Sequence, residues 1–334
     1  MSRSWADRSL GGDARRSIRL TLEGPITHRR SPLSSVVLIA CLALLGACTS
    51  AGGTSDGPSD GSGTGSTTPP APRVFERYVA LGDSYTAAPL VPDLDAAKGC
   101  YRSTNNYPAV LARTIEVKTF VDRSCSGAET TDMAGRQQTG VASLPPQFRA
   151  LDAATDLVTL GIGGNDFSVF STLVDTCAAV RSQDPRGAPC RRAMRAGGRD
   201  RLLDAVTRTK TRVRKVVAGI RARSPHATIL VVGYPQSVPA RGTCPALLPL
   251  AAGDYPYARL VNLRLTRALQ QVAATSKVGY VDVWQASRGH DICSDDPWVN
   301  GQYSDFSLAQ AFHPFAAEQD AVAALIAHRF GYGG

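Results

Sequence analysis

The sequence predicts an α/β fold, a three-layer α/β/α sandwich in which helices cover both faces of a parallel sheet. Three observations carry that prediction. Hydrophobic residues make up 43% of the 334 and charged residues 19%, a composition that supports a real core and excludes a fibrous repeat or a wholly disordered chain. Five short apolar runs are each bounded by turn-forming residues, as buried strands are. Longer stretches with helical spacing separate them, so the two kinds of element alternate.

Taken in order, Val74 to Leu81 is the first strand, and it runs straight into Gly82. A helix over Tyr107 to Arg113 leads to a second strand over Ile115 to Val121. The third strand, Asp156 to Ile162, ends in a glycine-rich turn. Arg199 to Arg223 follows as a long helix, with Leu202, Leu203, Val206, Val213, Val216, Val217 and Ile220 spaced to form one apolar face. Thr228 to Val232 is the fourth strand, Tyr257 to Ser276 a helix, Gly279 to Val283 the fifth strand, and Pro314 to His328 the closing helix. In such sheets ligands gather beyond the carboxyl ends of the strands.

The first 72 residues read differently. Residues 1 to 30 hold seven Arg and three acids, and Pro32 to Ala47 holds no charge, a basic region followed by an apolar one. At sixteen residues the apolar run is short for a spanning helix, which needs about 20. It ends at Leu45-Gly46-Ala47-Cys48, which resembles the lipobox of bacterial lipoproteins, where the cysteine is lipidated and becomes the new N-terminus. Residues 1–47 are therefore expected to be a lipoprotein-type signal peptide, with an ordinary cleaved signal and an incidental Cys48 as the alternative. Either way the mature chain works outside the cytoplasm, anchored to the membrane or secreted. Residues 48–72 are nearly all Gly, Ser, Thr, Pro and Asp, with no large apolar side chain to offset ordering entropy, and read as a disordered tether. Residues 73–334 remain as one domain.

The formal net charge is +9, and it is concentrated: fourteen Lys or Arg against three Asp lie between Arg181 and Arg223. This is either a surface for anionic lipid or acidic polymer, or the solvated face of the long helix. Nucleic acid is not an expected partner of an exported chain with no nucleic-acid-binding motif. With Cys41 and Cys48 set aside in the leader, six cysteines remain and none forms a CxxC pair, so zinc or thioredoxin-like chemistry finds no support. An even number in an oxidising compartment favours three disulfides, with fifteen pairings open.

Two strand ends and two further positions carry chemistry. Gly82-Asp83-Ser84 presents a hydroxyl where the first strand meets a helix N-terminus; the serine is a nucleophile or a plain N-cap. Gly161-Ile162-Gly163-Gly164-Asn165-Asp166 fits no nucleotide loop, but its glycines allow close backbone approach and the Asn165 amide can donate to a developing alkoxide. Gly127 offers a second backbone donor, and His313, at a loop-to-helix junction, is better placed as a base than the other histidines.

In that order, Gly82-Asp83-Ser84, Gly127, Gly163-Gly164-Asn165-Asp166 and His313 match the four blocks of the SGNH hydrolases, also called GDSL esterases/lipases, and together span nearly all of residues 78 to 330. The chain is most similar to the secreted bacterial branch with three disulfides. That resemblance implies a flavodoxin-like fold, no metal or other cofactor, and disulfides Cys100–Cys125, Cys177–Cys190 and Cys244–Cys293. It implies acyl transfer on an ester or lipid substrate, with Ser84 as nucleophile, His313 as base, and Ser84, Gly127 and Asn165 as the oxyanion hole. Asp83 and Asp166 would brace their turns. The family often has an Asp three residues before the histidine, and here that position is Gln310. A main-chain carbonyl of Gln310 or Ala311 could orient the imidazole instead, or the carboxylate of Asp305 or Asp296. Tyr85, Leu90, Val91, Leu94 and Tyr101 are expected as an apolar acyl-side wall or as plain core. Alternatives on the same fold are a carbohydrate deacetylase, an acyltransferase or an inactive binding lipoprotein.

Overall fold

Residues buried on both faces of a sheet should be apolar without alternation, and the strands here obey that rule. A computed structural model describes residues 71–95 and 99–333, all within the unit Ser66–Gly334. The expected signal peptide (1–47), Cys48 and the tether up to residue 70 lie outside the described residues. Strands β1 (Arg77–Gly82), β2 (Thr119–Asp122), β3 (Leu157–Gly161), β4 (Thr228–Val232) and β5 (Gly279–Val281) form one parallel sheet in the order β2-β1-β3-β4-β5. The predicted three-layer architecture is the one observed.

The helices divide between the faces. Beyond the single turn α1 (Ser84–Ala87) come α2 (Tyr107–Thr114), α3 (Arg201–Arg223), α4 (Tyr255–Thr275) and α5 (Ala316–Arg329). Along β1, Val79 and Leu81 pack with the apolar faces of α3 and α4, while Tyr78 and Ala80 pack with α2 and α5. The period-two alternation of a strand thus feeds two separate cores. Of the seven α3 residues predicted to face the core, all but the half-buried Leu203 are buried.

Where boundaries differ from the sequence reading, a local hydrogen bond or turn explains it. Ile115 closes α2 by donating to Leu111 O and Glu116 turns to φ 49°, so β2 starts only at Thr119. The Asp156 carboxylate accepts from the Glu76 and Arg77 N–H groups, at 2.8 and 3.0 Å, and sets the start of β1. Asp200 accepts from Leu203 N and caps α3, which begins two residues later than predicted. Asp282 accepts from Gln285 N, which turns Val283 into a short helix and ends β5 early. The disulfides are Cys100–Cys125, Cys177–Cys190 and Cys244–Cys293, as the resemblance implied.

Candidate active site

In the strand order 2-1-3-4-5 the chain leaves the sheet in opposite directions after β1 and β3, opening a crevice at their carboxyl ends. Ser84 follows β1 and Asn165 follows β3, so both reach that crevice. Gly82 fits only as glycine, because a Cβ there would lie 2.7 Å from the Gly161 carbonyl and inside the Thr86 side chain. Gln147 reads its backbone from both sides, accepting from Gly82 N and donating to Gly82 O, each at 2.9 Å. Asp83 caps the turn by accepting from Tyr85 N at 3.0 Å, and its other oxygen accepts from the Tyr234 hydroxyl. Burial raises the Asp83 carboxyl to about 7 against the pull of these hydrogen bonds. Tyr234 in turn accepts from Gly164 N at 2.7 Å, so one phenol joins the Ser84 turn to the Asn165 turn.

Three turns carry the candidate donors. Gly127 sits at φ +75°, a conformation glycine takes without strain. Among the described residues, the N–H groups of Ser84 and Gly127 meet no acceptor. Asn165 spends one amide hydrogen on Ala128 O at 3.0 Å, which leaves the other for the crevice. Asp166 is fully buried and binds the neighbouring segment through Thr130 N at 3.0 Å and the Thr130 hydroxyl, with Arg212 Nη1 at 3.1 Å. The Arg212 and Arg208 guanidiniums lie over the Phe167 ring, 3.9 and 3.7 Å from its centre. Part of the basic helix α3 therefore clamps the Asn165 turn.

His313 enters from a loop outside the sheet. Its Nδ1 lies 2.7 Å from the Ala311 carbonyl, and because a carbonyl only accepts, Nδ1 carries the proton and Nε2 the lone pair. Burial lowers the imidazole to about 4, with the Ala311 bond opposing the shift. Phe312, at φ 59°, offers its carbonyl to the Tyr85 hydroxyl at 2.8 Å. Ser84, Asn165 and His313 all line one cavity of about 500 Å³, walled by Phe170, Leu173, Val238, Leu248, Leu250 and Ile292. Its chemistry is a hydroxyl, an imidazole and amide donors facing an apolar chamber.

Comparison with known proteins fits this geometry. The model of the GDSL-like lipase/acylhydrolase family matches residues 80–320. The chain belongs to that family. It is 39% identical to Lipase 2 of Streptomyces coelicolor over 246 residues, which cover 72% of this chain and 80% of the relative. Among solved structures it is similar to phospholipase A1 of Streptomyces albidoflavus NA297, with 28% identity, a TM-score of 0.58, and coverage of 77% of this chain and 99% of that one. The extracellular lipase of Streptomyces rimosus gives 25% identity and a TM-score of 0.59, over 76% of this chain and 98% of that one. This GDSL-like acylhydrolase is a carboxylic ester hydrolase.

Within the acylhydrolase, one open choice is resolved and one expectation needs correction. Of the four candidates to hold the imidazole, only Ala311 contacts it. The Asp305 carboxylate is exposed and accepts from Ser307 N and Oγ, Asp296 pairs with His290, and Gln310 uses its carbonyl on the His313 N–H. The expected acyl-side wall is also elsewhere: of those five residues only Tyr85 lines the cavity, Val91 is core, and Leu94 and Tyr101 are exposed. Gln147, Tyr234 and Arg212 were missed. Tyr234 had a signal, since it stands two residues past β4 at the carboxyl end of the sheet.

Proposed function

We propose that the acylhydrolase is a serine esterase acting outside the cytoplasm, with Ser84 as nucleophile and His313 as general base. The observation that carries this reading is that Ser84, Asn165 and His313 share one apolar-walled cavity while the imidazole is held by the nitrogen facing away from its lone pair. His313 Nε2 takes the Ser84 proton as Oγ attacks the ester carbonyl. The resulting oxyanion accepts from the N–H groups of Ser84 and Gly127 and from the Asn165 amide, each such donor typically lowering the barrier by roughly 2.7 to 4 kcal/mol. His313 returns the proton to the departing alcohol, and water activated by the same imidazole then releases the acid from Ser84. Ala311 offers the imidazolium a neutral dipole in place of a carboxylate, so the ring is oriented more than it is charge-stabilised.

The exported location is supported by three disulfides, which persist in oxidising compartments, and by a leader that ends in the lipobox-like Leu45-Gly46-Ala47-Cys48; lipidation of Cys48 would hold the enzyme at the membrane. A panel of p-nitrophenyl esters of rising acyl length tests the chemistry. Ser84→Ala should abolish hydrolysis of every ester and block labelling by a fluorophosphonate. Wild-type turnover in Ser84→Ala overturns the assignment. Applied to fractionated cells, the same label should appear with the membranes, and label confined to the cytoplasm overturns the location.

A further inference from the structure

The loop that delivers His313 also carries three exposed apolar side chains. Tyr303, Phe306 and Leu308 are 72%, 84% and 53% exposed, and Phe306 is the most exposed large apolar side chain among the described residues. Single exposed apolar residues are common, but three within six positions on one loop form a patch. The exposure does not come from slack backbone. The Asn300 amide donates to the carbonyls of Tyr303 and Ala309, at 2.8 and 3.0 Å, and Asp305 and Ala309 exchange both backbone hydrogen bonds at 2.9 Å. Ala311 N donates to Ser304 Oγ, Gln310 N to Pro89 O, and Phe312 N to Gly301 O. Residues 301–312 thus form a closed Ω-loop that holds its apolar side chains outward.

The same loop borders the cavity. Gln302, Gln310 and Phe312, from the same loop, line the cavity, whereas Tyr303, Phe306 and Leu308 do not. We infer that Tyr303, Phe306 and Leu308 form a lipid-seating surface that docks the entrance of the cavity onto an aggregate of neutral or zwitterionic lipid. The inference rests on the ester-hydrolysing reading of the cavity, because a water-insoluble ester must leave its aggregate where the acyl chain enters. Charge selects the kind of lipid: residues 301–312 contain no Lys or Arg and one acid, the exposed Asp305, so an anionic surface is disfavoured here. A tyrosine beside two apolar side chains suits the boundary between headgroups and acyl chains. A loop already fixed in shape loses little ordering entropy on docking.

Two measurements on a Tyr303→Ser/Phe306→Ser/Leu308→Ser variant test this. In a Cys48→Ser/Ser84→Ala background, where no acyl anchor contributes, partitioning onto phosphatidylcholine vesicles should fall at least about 10-fold, since the apolar area removed from water disappears. With Ser84 intact, kcat/KM for monomeric p-nitrophenyl acetate should stay within about twofold, while the rate on a long-chain ester above its critical micelle concentration falls at least about 10-fold. Equal losses on both substrates would make the loop structural and overturn the inference. So would unchanged vesicle partitioning, partitioning that requires anionic lipid, or a dimer that the substitutions dissociate. Persistent turnover in Ser84→Ala with normal vesicle binding would instead sink the nucleophile assignment and leave the docking surface standing.

Discussion

Ser84 and His313 reach the same cavity from two different scaffolds. Ser84 hangs from β1, where Gly82 has both backbone groups bonded by Gln147, Asp83 N donates to Gly161 O on the adjoining strand, and the buried Asp83 carboxyl is held by Tyr234. His313 hangs from an Ω-loop outside the sheet, positioned by the Ala311 carbonyl, by the Tyr85 hydroxyl on Phe312 O, and by the Asn300 side chain. Every polar partner on the first side is buried, so losing one exposes nothing to water and leaves a group unpaired. On the second side the groups border the cavity and water can replace a lost partner. Deleting a single hydrogen-bond partner should therefore cost mainly stability on the sheet side and mainly rate on the loop side.

The largest expected effect is on the sheet side. Gly82→Ala drives a methyl toward the Gly161 carbonyl, and backbone cannot yield as a flexible side chain can. Unfolding free energy should drop by about 3 kcal/mol. Ser84 would also be displaced, and a shift near 1 Å costs about 10²-fold in kcat. The loop-side counterpart is Asp305→Asn, a position the sequence nominated as a partner of the base. Its carboxylate is occupied with Ser307, so kcat/KM should stay within about twofold. Denaturant titration and steady-state kinetics on both variants decide the matter, and a large rate loss in Asp305→Asn with little change in Gly82→Ala would invert the comparison.

The pH profile sharpens it next. His313 serves as a base only when neutral, and its burial carries the imidazole down to about 4. Lowering the pH through that value protonates the ring and removes the base, so kcat/KM should be flat above about pH 4 and fall about 10-fold per unit below it. An imidazole in water would place that limb near 6.5. A measured limb near 6.5 in kcat/KM for a soluble ester would mean that water reaches the ring as freely as it reaches the rest of the loop side.

The same contrast explains what was legible in the sequence. Sheet-side features come from local rules: an apolar run ending in Gly-Asp-Ser fixes a strand and a turn within eight residues, and Gly163-Gly164-Asn165 does the same after β3. The fold followed from the alternation of such runs with helical ones. The partner of His313 was not legible, because whether a carbonyl two residues away or a carboxylate eight residues away reaches a ring depends on the course of the loop. Ala311 was open alongside Gln310, Asp305 and Asp296 until the Ω-loop showed Asp305 turned back on Ser307. Arg212 was hidden for another reason. Within a segment of fourteen cations nothing in the sequence marks the one that meets Asp166, 46 positions earlier.

A matched pair of hydroxyl deletions gives the most diagnostic effect. Tyr234→Phe removes the donor to Asp83 and the acceptor of Gly164 N, both buried, and should lower unfolding free energy by about 3 kcal/mol. Tyr85→Phe removes the donor to Phe312 O on the loop side, where the ring is half-buried beside the cavity. Its stability should shift by under about 1 kcal/mol because water can reach that carbonyl. The left-handed Phe312 loses its tether, however, and His313 loses orientation, so kcat should fall about 5-fold with KM nearly constant. If both variants lose stability equally and kcat follows stability alone, the two sides of the cavity are one cooperative structure and the distinction between a rigid floor and a tethered loop fails.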